Sequence, residues 1–269
     1  MRSWQLPSWP QALVAGPSLL FVAIIGLPVF AILARVAQSE APLQTLTRPI
    51  VLEALRVSAI TTACTLAGAL LLGTPLAYVL ARRRFPGHAL LDSLLELPMV
   101  LPPAVAGVGL LFAFGRRGLL GDQLAAAGIS IPFTATAVVL AQFFVAAPFY
   151  VRAARAAFES VDPEFEIVSH TLGVSSWLTF VRVTVPLAFP GLLSGATTCW
   201  ARALGEFGAT IMFAGSFLGR TQTLPLAIYA GLESDLDAAM AISALLTVLS
   251  FGLLLILRAS LRARNPVYA

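Results

Sequence analysis

The sequence lacks lysine altogether and is poor in charge of either sign. All seventeen basic residues are arginine, and charged residues make up only 11% of the 269, whereas soluble domains are close to a quarter charged. So little charge excludes an ordinary soluble domain. The net charge of +4 does not indicate a nucleic-acid partner either, because the arginines lie beside apolar runs and form no basic face.

Cysteine is nearly absent, and so are the motifs of catalysis. Cys64 and Cys199 lie far apart inside apolar stretches, without the spacing of a disulfide framework or a metal site, so we expect both to be buried packing residues. The chain contains no G-x-x-x-x-G-K-[ST] phosphate loop, no cluster of metal ligands and no nucleophile–base arrangement. These absences argue against an enzyme.

What the chain does have is apolar length, with 58% hydrophobic residues. A helix that crosses a membrane needs about 20 apolar residues, and six segments meet this requirement. They predict an all-α polytopic membrane protein with one membrane domain over residues 1–269. Pro98, Pro102 and Pro103 predict a break in the third segment, and the N-terminus is expected to lead uncleaved into the first. The predicted spans are 16–37, 54–81, 91–114, 135–157, 191–214 and 238–258.

The placement of arginine predicts the orientation of these spans. Cytoplasmic loops of membrane proteins carry the excess of basic residues. With six spans, the arginines of 82–84, 152–182 and the C-terminal tail lie on one side of the membrane, and fewer arginines lie on the other side. We therefore expect both termini and the 158–190 loop to be cytoplasmic. Arg116 and Arg117 run against this bias, because they lie on the arginine-poor side.

The predicted cytoplasmic loop contains a segment with the pattern of two short helices. Asp162 followed by Pro163 predicts a helix start, and Gly173 predicts the left-handed residue that ends it. Ser175 is placed to cap a second helix, which Pro186 would stop. The apolar stripes either lie on the membrane surface or dock into a groove of a cytoplasmic partner. The segment carries two glutamates and one arginine, which favours docking on a protein rather than binding to an anionic membrane surface. Nine residues are candidates for docking. They are Glu164, Phe165, Glu166, Val168 and Leu172 in the first helix, Trp177 and Phe180 in the second, and Gly173 and Pro186 at the turn and the end.

Within this segment, "EIVSHTLG…VTVP" resembles the cytoplasmic loop shared by the membrane subunits of ATP-binding-cassette importers. That family pattern starts with an acidic and two small residues, has a glycine six residues on, and ends in hydrophobic–x–Leu–Pro. Gly173 and Pro186 match it, and Val185 stands where leucine is usual. The first three positions fall on residues 167–169, with Glu166 one residue early. The resemblance implies that this loop docks on an ATPase subunit.

Flanking stretches resemble the molybdate/tungstate permease subunits of these importers, with the related sulfate permeases close behind. They are "ELPMVLPPAVAGVGLL", "FGRRGLLG", "PFYVRAARAAFESVD", "ARALGEFGATIMFAG" and "GRTQTLPLAIYAGLE", and the resemblance runs from about residue 50 to 258. The stretch "RALGEFGA" is shared by the oxyanion permeases, while "TQTLPLAIY" looks more like the molybdate branch.

The resemblance also implies partners. Two ATPase subunits, a second copy of the chain and an extracytoplasmic oxyanion-binding protein would complete a transporter in the cytoplasmic membrane of a bacterium or archaeon. ATP with Mg²⁺ would bind the ATPase subunit, so no cofactor and no metal site are expected on this chain. Membrane lipid would surround it, and no nucleic acid is implied. The cargo would be molybdate or tungstate, with sulfate or thiosulfate as the alternative.

Two charged residues fall inside the predicted fifth span, in "ARALGEFGAT". Arg202 and Glu206 are four residues apart and hence on one helical face. Charges at this depth usually face the bundle interior or an aqueous cavity, and pair. The two form either a structural ion pair or part of the translocation pathway, where Arg202 attracts the oxyanion and Glu206 prevents tight binding. Gly205 and Gly208 would allow close helix approach, at a dimer interface or within the chain.

Two other classes of membrane protein fit the sequence less well. An ion-coupled secondary transporter tends to have internal repeats and several ionisable residues at broken helices, whereas this chain shows one charged pair and no repeat. A membrane scaffold needs no charge inside a span. The sequence therefore favours an importer subunit that performs no covalent chemistry of its own.

Overall fold

The computed structural model describes residues 8–38 and 46–264, and the regular structure in this part of the chain is helical, without strands. The expected uncleaved start, with Arg2, lies outside the described residues. We number the helices α1 Ser8–Ala37, α2 Pro49–Arg82, α3 His88–Val100, α4 Pro103–Phe114, α5 Gly121–Ala126, α6 Ala135–Glu159, α7 Pro163–Thr171, α8 Ser176–Leu204, α9 Gly208–Ala214, α10 Leu224–Ser234 and α11 Leu236–Arg264.

Up to six of these units are long and apolar enough to cross a membrane. Five are single helices, and α3 with α4 makes a sixth that is bent by 117°. The bend falls at Leu101 and Pro102, because two successive prolines remove the backbone N–H groups that would continue α3. The prediction of an all-α polytopic membrane protein is confirmed, and the break expected in the third segment is present between α3 and α4. The five single stretches are Leu13–Val36, Pro49–Arg82, Ala135–Glu159, Ser176–Leu204 and Leu236–Ile256.

The fifth span differs from the predicted 191–214. Its helix begins at Ser176, passes through Pro186 and ends at Leu204. Pro186 therefore does not stop the helix as expected. The preceding turn, Phe180–Thr184, is a wide π-helical turn in which the Val185 N–H donates to the Phe180 carbonyl. This widening accommodates a proline ring that would collide with the carbonyl four residues back in a regular helix.

Helix α6 forms the centre of the bundle and packs against α2 and α8. The contact depends on small side chains, which let helix backbones approach closely in a membrane. Gly191 of α8 lies so near α6 that a Cβ there would come 2.5 Å from the Cβ of Ala157. On the other side, a Cβ at Gly73 of α2 would meet the ring of Tyr150 at 2.9 Å. Cys199 is buried in this core as expected, whereas Cys64 is exposed, so that expectation was wrong for Cys64.

The two ends of the bundle are distinguished by their connections. The end that carries the α6–α7–α8 junction is called the hairpin end, and the end at which α2 and α6 begin is called the opposite end. At the opposite end, Arg48 Nη1 lies 2.5 Å from Asp235 Oδ2, which ties the start of α2 to the α10–α11 junction. The Ala238 backbone N–H, together with Arg48, holds the pKa of Asp235 below its usual value.

Candidate functional site

The hairpin, residues 162–184, has the turns that its sequence predicts. Asp162 accepts a hydrogen bond from the Glu164 backbone N–H at 2.9 Å and so caps α7. Gly173 has φ +82°, a left-handed conformation that suits glycine and lets the chain reverse. The Ser175 side chain accepts from the Leu178 N–H at the start of α8. The second arm is not a separate short helix, because it continues into the membrane span.

One side of the hairpin is an exposed apolar surface, which we call the docking face. Its side chains are large, and the two most exposed, Leu172 and Trp177, are 77% and 73% exposed. An apolar patch of this kind marks a surface that another molecule covers. Four predicted docking residues belong to it. Glu164 and Gly173 are exposed within the same hairpin, and Pro186 is exposed further along α8. The docking face consists of Phe165, Ile167, Val168, Leu172 and Trp177.

Glu166, also predicted to dock, points the other way and anchors the hairpin to the membrane helices. Its Oε1 accepts from Arg82 Nη2 at 3.0 Å, from Arg82 Nε at 3.1 Å and from the Thr184 hydroxyl at 2.9 Å. Its Oε2 accepts from the Tyr78 hydroxyl at 3.2 Å. The carboxylate side chain is only 14% exposed. It thereby joins α7 to both α2 and α8, and Arg82 also donates to the Val161 carbonyl.

The inner side of the hairpin is packed around this carboxylate. The ring of Phe180 lies 4.8 Å from that of Tyr78 and 6.0 Å from that of Phe158, so Phe180 belongs to the interior and not to the docking face. Between the two arms, the hydroxyls of Ser169 and Thr179 are 2.8 Å apart. Aromatic packing and a buried hydroxyl pair make the two arms and the adjoining spans one packed unit.

A second polar cluster at the hairpin end braces α3 against α6. Asp92 Oδ1 lies 2.6 Å from Arg155 Nη1, and Arg155 Nε donates to Glu159 at 2.8 Å. His88 is buried between the Leu80 carbonyl and Asp92. Sequence reasoning missed this cluster, although the four-residue spacing within each helix, His88 to Asp92 and Arg155 to Glu159, is a signal for such pairs.

The second candidate site is the pair of charges that follows the core of α8. Arg202 lies in the last turn of α8, and its Nη1 is 2.8 Å from Glu206 Oε2. Glu206 is 1% exposed, and its Oε1 accepts the backbone N–H of Ala209 at 2.8 Å. The expected ion pair is therefore present, but not within one continuous helix. Glu206 occupies a break at 205–207 and caps α9, since its side chain satisfies an N–H that helix starts leave free.

The two glycines near this pair have different roles. A Cβ on Gly208 would lie 2.8 Å from the Cβ of Pro103, so Gly208 allows α9 to pack closely against α4 within the chain. Gly205 has no such neighbour, since its nearest contact would be the Ala201 carbonyl at 3.6 Å. It instead marks the end of α8, where glycine disfavours the helix.

Three further buried side chains have a polar atom without a hydrogen-bond partner among the described residues. Thr210 is fully buried one turn after Glu206, and its hydroxyl has no hydrogen-bond partner among the described residues. The same holds for the side-chain oxygens of Gln222 and Thr223 in the loop before α10. Buried polar groups are normally paired. These three side chains are exceptions to that rule within the described part of the chain.

The sequence pattern of the family described as "Binding-protein-dependent transport system inner membrane component" matches residues 73–265. The molybdenum transport system permease protein ModB of Mycobacterium tuberculosis is 44% identical over 262 residues, which cover 97% of this chain and 96% of that protein.

More distant relatives span nearly as much of the chain. The molybdate/tungstate transport system permease protein WtpB of Thermococcus kodakarensis is 36% identical, covering 91% of this chain and 94% of its own. The sulfate transport system permease protein CysT of Escherichia coli K12 is also 36% identical, and the match covers 93% of this chain and 91% of that protein. A solved bacterial ABC transporter involved in alginate import has the same fold, with a TM-score of 0.75 over 95% of this chain and 96% of that chain at 14% identity.

Replacing Glu166 by glutamine tests the anchor of the hairpin. The substitution keeps the shape and removes the charge that faces the largely buried Arg82, so we expect a loss of about 1–3 kcal/mol in the free energy of unfolding. Thermal unfolding of the purified chain in detergent should show a Tm several degrees lower. Glu164→Gln is the matched control. Because Glu164 is exposed, the Tm of this variant should equal that of the original chain. Equal Tm values for both variants and the original chain would contradict the anchor.

Proposed function

Because the chain belongs to the family of binding-protein-dependent transport system inner membrane components, we propose that it is the membrane-spanning permease subunit of an importer for molybdate or tungstate. The observation that carries this proposal is 44% identity, over 97% of the chain, to a permease named for molybdenum transport. A bundle of membrane-crossing helices suits such a subunit. The chain transports and performs no covalent chemistry, while ATP hydrolysis belongs to a separate subunit.

Sulfate is the alternative cargo. The relative named for sulfate transport is 36% identical, less than the molybdenum permease. Molybdate, tungstate and sulfate are all tetrahedral oxyanions, so a charged pathway alone separates them poorly. In this proposal the extracytoplasmic binding protein selects the anion, and the permease conducts what it receives.

The docking face is the proposed contact for an ATPase subunit. It is an apolar surface at the hairpin end of the bundle, and amphipathic helices commonly bind partners by laying such a face into a groove. With two copies of the chain in the transporter, two ATPase subunits would bind. The hairpin end is then cytoplasmic, with both termini on that side of the inner membrane, in agreement with the bias of the arginines.

The anchor at Glu166 gives docking a mechanical consequence. Closure of the ATPase subunits would move the hairpins, and each hairpin is bonded through Glu166 to α2 and α8. A rigid element that is bonded to a span transmits its displacement to that span. We therefore assign Glu166 to coupling within the chain and the exposed residues to contact with the partner.

The Arg202–Glu206 pair is proposed to line the pathway. Arg202 is 29% exposed while Glu206 is nearly inaccessible, so the cation is the member of the pair that a passing anion meets. Glu206 lowers the net attraction, which keeps the anion from binding too tightly to leave. The break between α8 and α9 supports this role, because irregular backbone in membranes occurs where it lines a cavity or packs against protein.

Uptake by the reconstituted transporter tests the proposed cargo. Proteoliposomes with the permease, its ATPase and its binding protein should accumulate radioactive molybdate only when ATP is supplied. Equimolar unlabelled tungstate should roughly halve the rate, and equimolar sulfate should leave it nearly unchanged. Competition by sulfate equal to that by tungstate would favour the sulfate alternative. Uptake driven by an ion gradient without ATP would contradict the proposal.

Alanine at Trp177 or Leu172 tests the docking face. Both side chains are more than 70% exposed, so their truncation should leave the fold intact. Buried aromatic anchors dominate most protein interfaces, and we expect recovery of the ATPase subunit with the tagged permease to fall about tenfold. Leu119→Ala is the control, since Leu119 is 85% exposed but lies near the opposite end. Undiminished recovery with both hairpin variants would exclude this face as the contact.

Two substitutions at Glu206 separate charge from structure. Glu206→Gln keeps an oxygen that accepts the Ala209 N–H, whereas Glu206→Ala loses the cap as well. We expect both variants to slow molybdate uptake at least about tenfold, because Arg202 is left uncompensated, while ATP hydrolysis stays measurable. If Glu206→Gln transports normally and only Glu206→Ala is impaired, Glu206 serves the α9 cap alone.

A further inference from the structure

A cavity of about 630 Å³ opens near the opposite end of the bundle. Its walls come from the C-terminal end of α4, the segment that leads into α6, and the loop between α9 and α10. Two arginines, Arg116 and Arg220, line it together, and Ser130 lies between the aromatic and aliphatic side chains of the remaining wall. The cavity is separate from the hairpin and includes neither Arg202 nor Glu206.

Neither arginine in this cavity has an acidic partner among the described residues. The ion pairs of that part of the chain use other arginines, such as Arg48 with Asp235 and Arg56 with Glu53. Glu53 approaches Gly219, next to Arg220, but it pairs with Arg56 and does not line the cavity. Two uncompensated guanidinium groups thus share one recess. Such a recess concentrates positive potential and attracts anions.

Two further features of the wall favour an anion. The cavity reaches Thr134, which caps the N-terminus of the 25-residue helix α6, and the N-terminus of a long helix carries partial positive charge. Phe133, beside it, has φ +63°, the sole positive φ of a non-glycine residue within residues 8–38 and 46–264. Bulky residues rarely adopt this conformation, and it clusters at functional sites.

The sequence contains the same signal in another form. Arginines are expected to be scarce on the side of the membrane to which Arg116 and Arg220 are assigned, yet the chain keeps Arg116 in "FGRRGLLG" and Arg220 in "GRTQTLP". Orientation in the membrane gives no reason for them. Recruitment of an anion does.

We propose that Arg116 and Arg220 form a low-affinity recruiting site for a tetrahedral oxyanion, held by both guanidinium groups and the hydroxyl of Ser130, which lines the same cavity. This inference rests on the proposed function and adds a binding step to it. The Phe133 N–H donates to the Phe213 carbonyl at 3.3 Å, so the cavity wall is bonded to α9. Helix α9, about 10 Å long, connects this end to Glu206 at its other end. The anion would pass from the recruiting site towards Arg202.

Direct binding of molybdate tests the site. The full-length chain, purified into lipid nanodiscs without its binding protein, is dialysed to equilibrium against radioactive molybdate at low ionic strength. We expect saturable, weak binding that decreases with added salt. Arg116→Gln and Arg220→Gln should each weaken it about tenfold, as expected for loss of a charged hydrogen bond. Arg117→Gln is the matched control, since Arg117 is exposed but does not line the cavity, and it should bind within twofold of the original chain.

Absence of saturable binding, or equal binding by all variants, would overturn the site. A second measurement, the affinity of the molybdate-loaded binding protein for the whole transporter, should be unaffected by Arg116→Gln and Arg220→Gln. Weakened docking with unchanged molybdate dialysis would mean that the arginines receive carboxylates of the binding protein, which also overturns the proposal. Arginine-dependent binding in a chain whose reconstituted transporter takes up no molybdate would support the site and refute the proposed function.

Discussion

One partly buried carboxylate holds the surface of this molecule to its interior. Glu166 receives hydrogen bonds from Arg82 and Tyr78 on α2 and from Thr184 on α8, so a single side chain fixes the hairpin to two membrane helices. Without it, Arg82 would lose its acidic partner in a site that is largely shielded from water. The exposed apolar residues of the hairpin therefore lie on a base that is bonded to two membrane helices.

The remaining polar groups follow a similar logic at the other end of α8. The helix stops at Gly205, Glu206 caps the next helix, and Arg202 balances its charge. A break at this depth leaves backbone groups free, and a buried side chain satisfies one of them. The pair thus has a structural role that is visible in its hydrogen bonds, and the proposed role in the pathway uses the one member that remains accessible. The two roles are compatible, since Glu206 supports the backbone and Arg202 is the more exposed member of the pair.

Local signals in the sequence were sufficient for the turns and insufficient for the directions of side chains. Asp162, Gly173 and Ser175 could be placed from their own chemistry, because caps and left-handed turns depend on adjacent residues. The inward direction of Glu166 could not, since its partner Arg82 is 84 residues away and no local pattern links the two residues. The prediction that Pro186 stops the helix was wrong, because the π-helical turn before it relieves the clash that a proline usually causes. The cavity with Arg116 and Arg220 was visible only as an exception to the distribution of charge.

The central claim is that Glu166 transmits ATPase motion to the spans, and the ratio of transport to ATP hydrolysis tests it most directly. Molybdate taken up per ATP hydrolysed is measured in proteoliposomes that contain the whole transporter, with the original chain and with Glu166→Gln. The account predicts that the variant still binds the ATPase subunits and hydrolyses ATP, because the docking face is intact, while the molybdate moved per ATP falls severalfold. An unchanged ratio would show that the hairpin drives the spans without this carboxylate and would contradict the account.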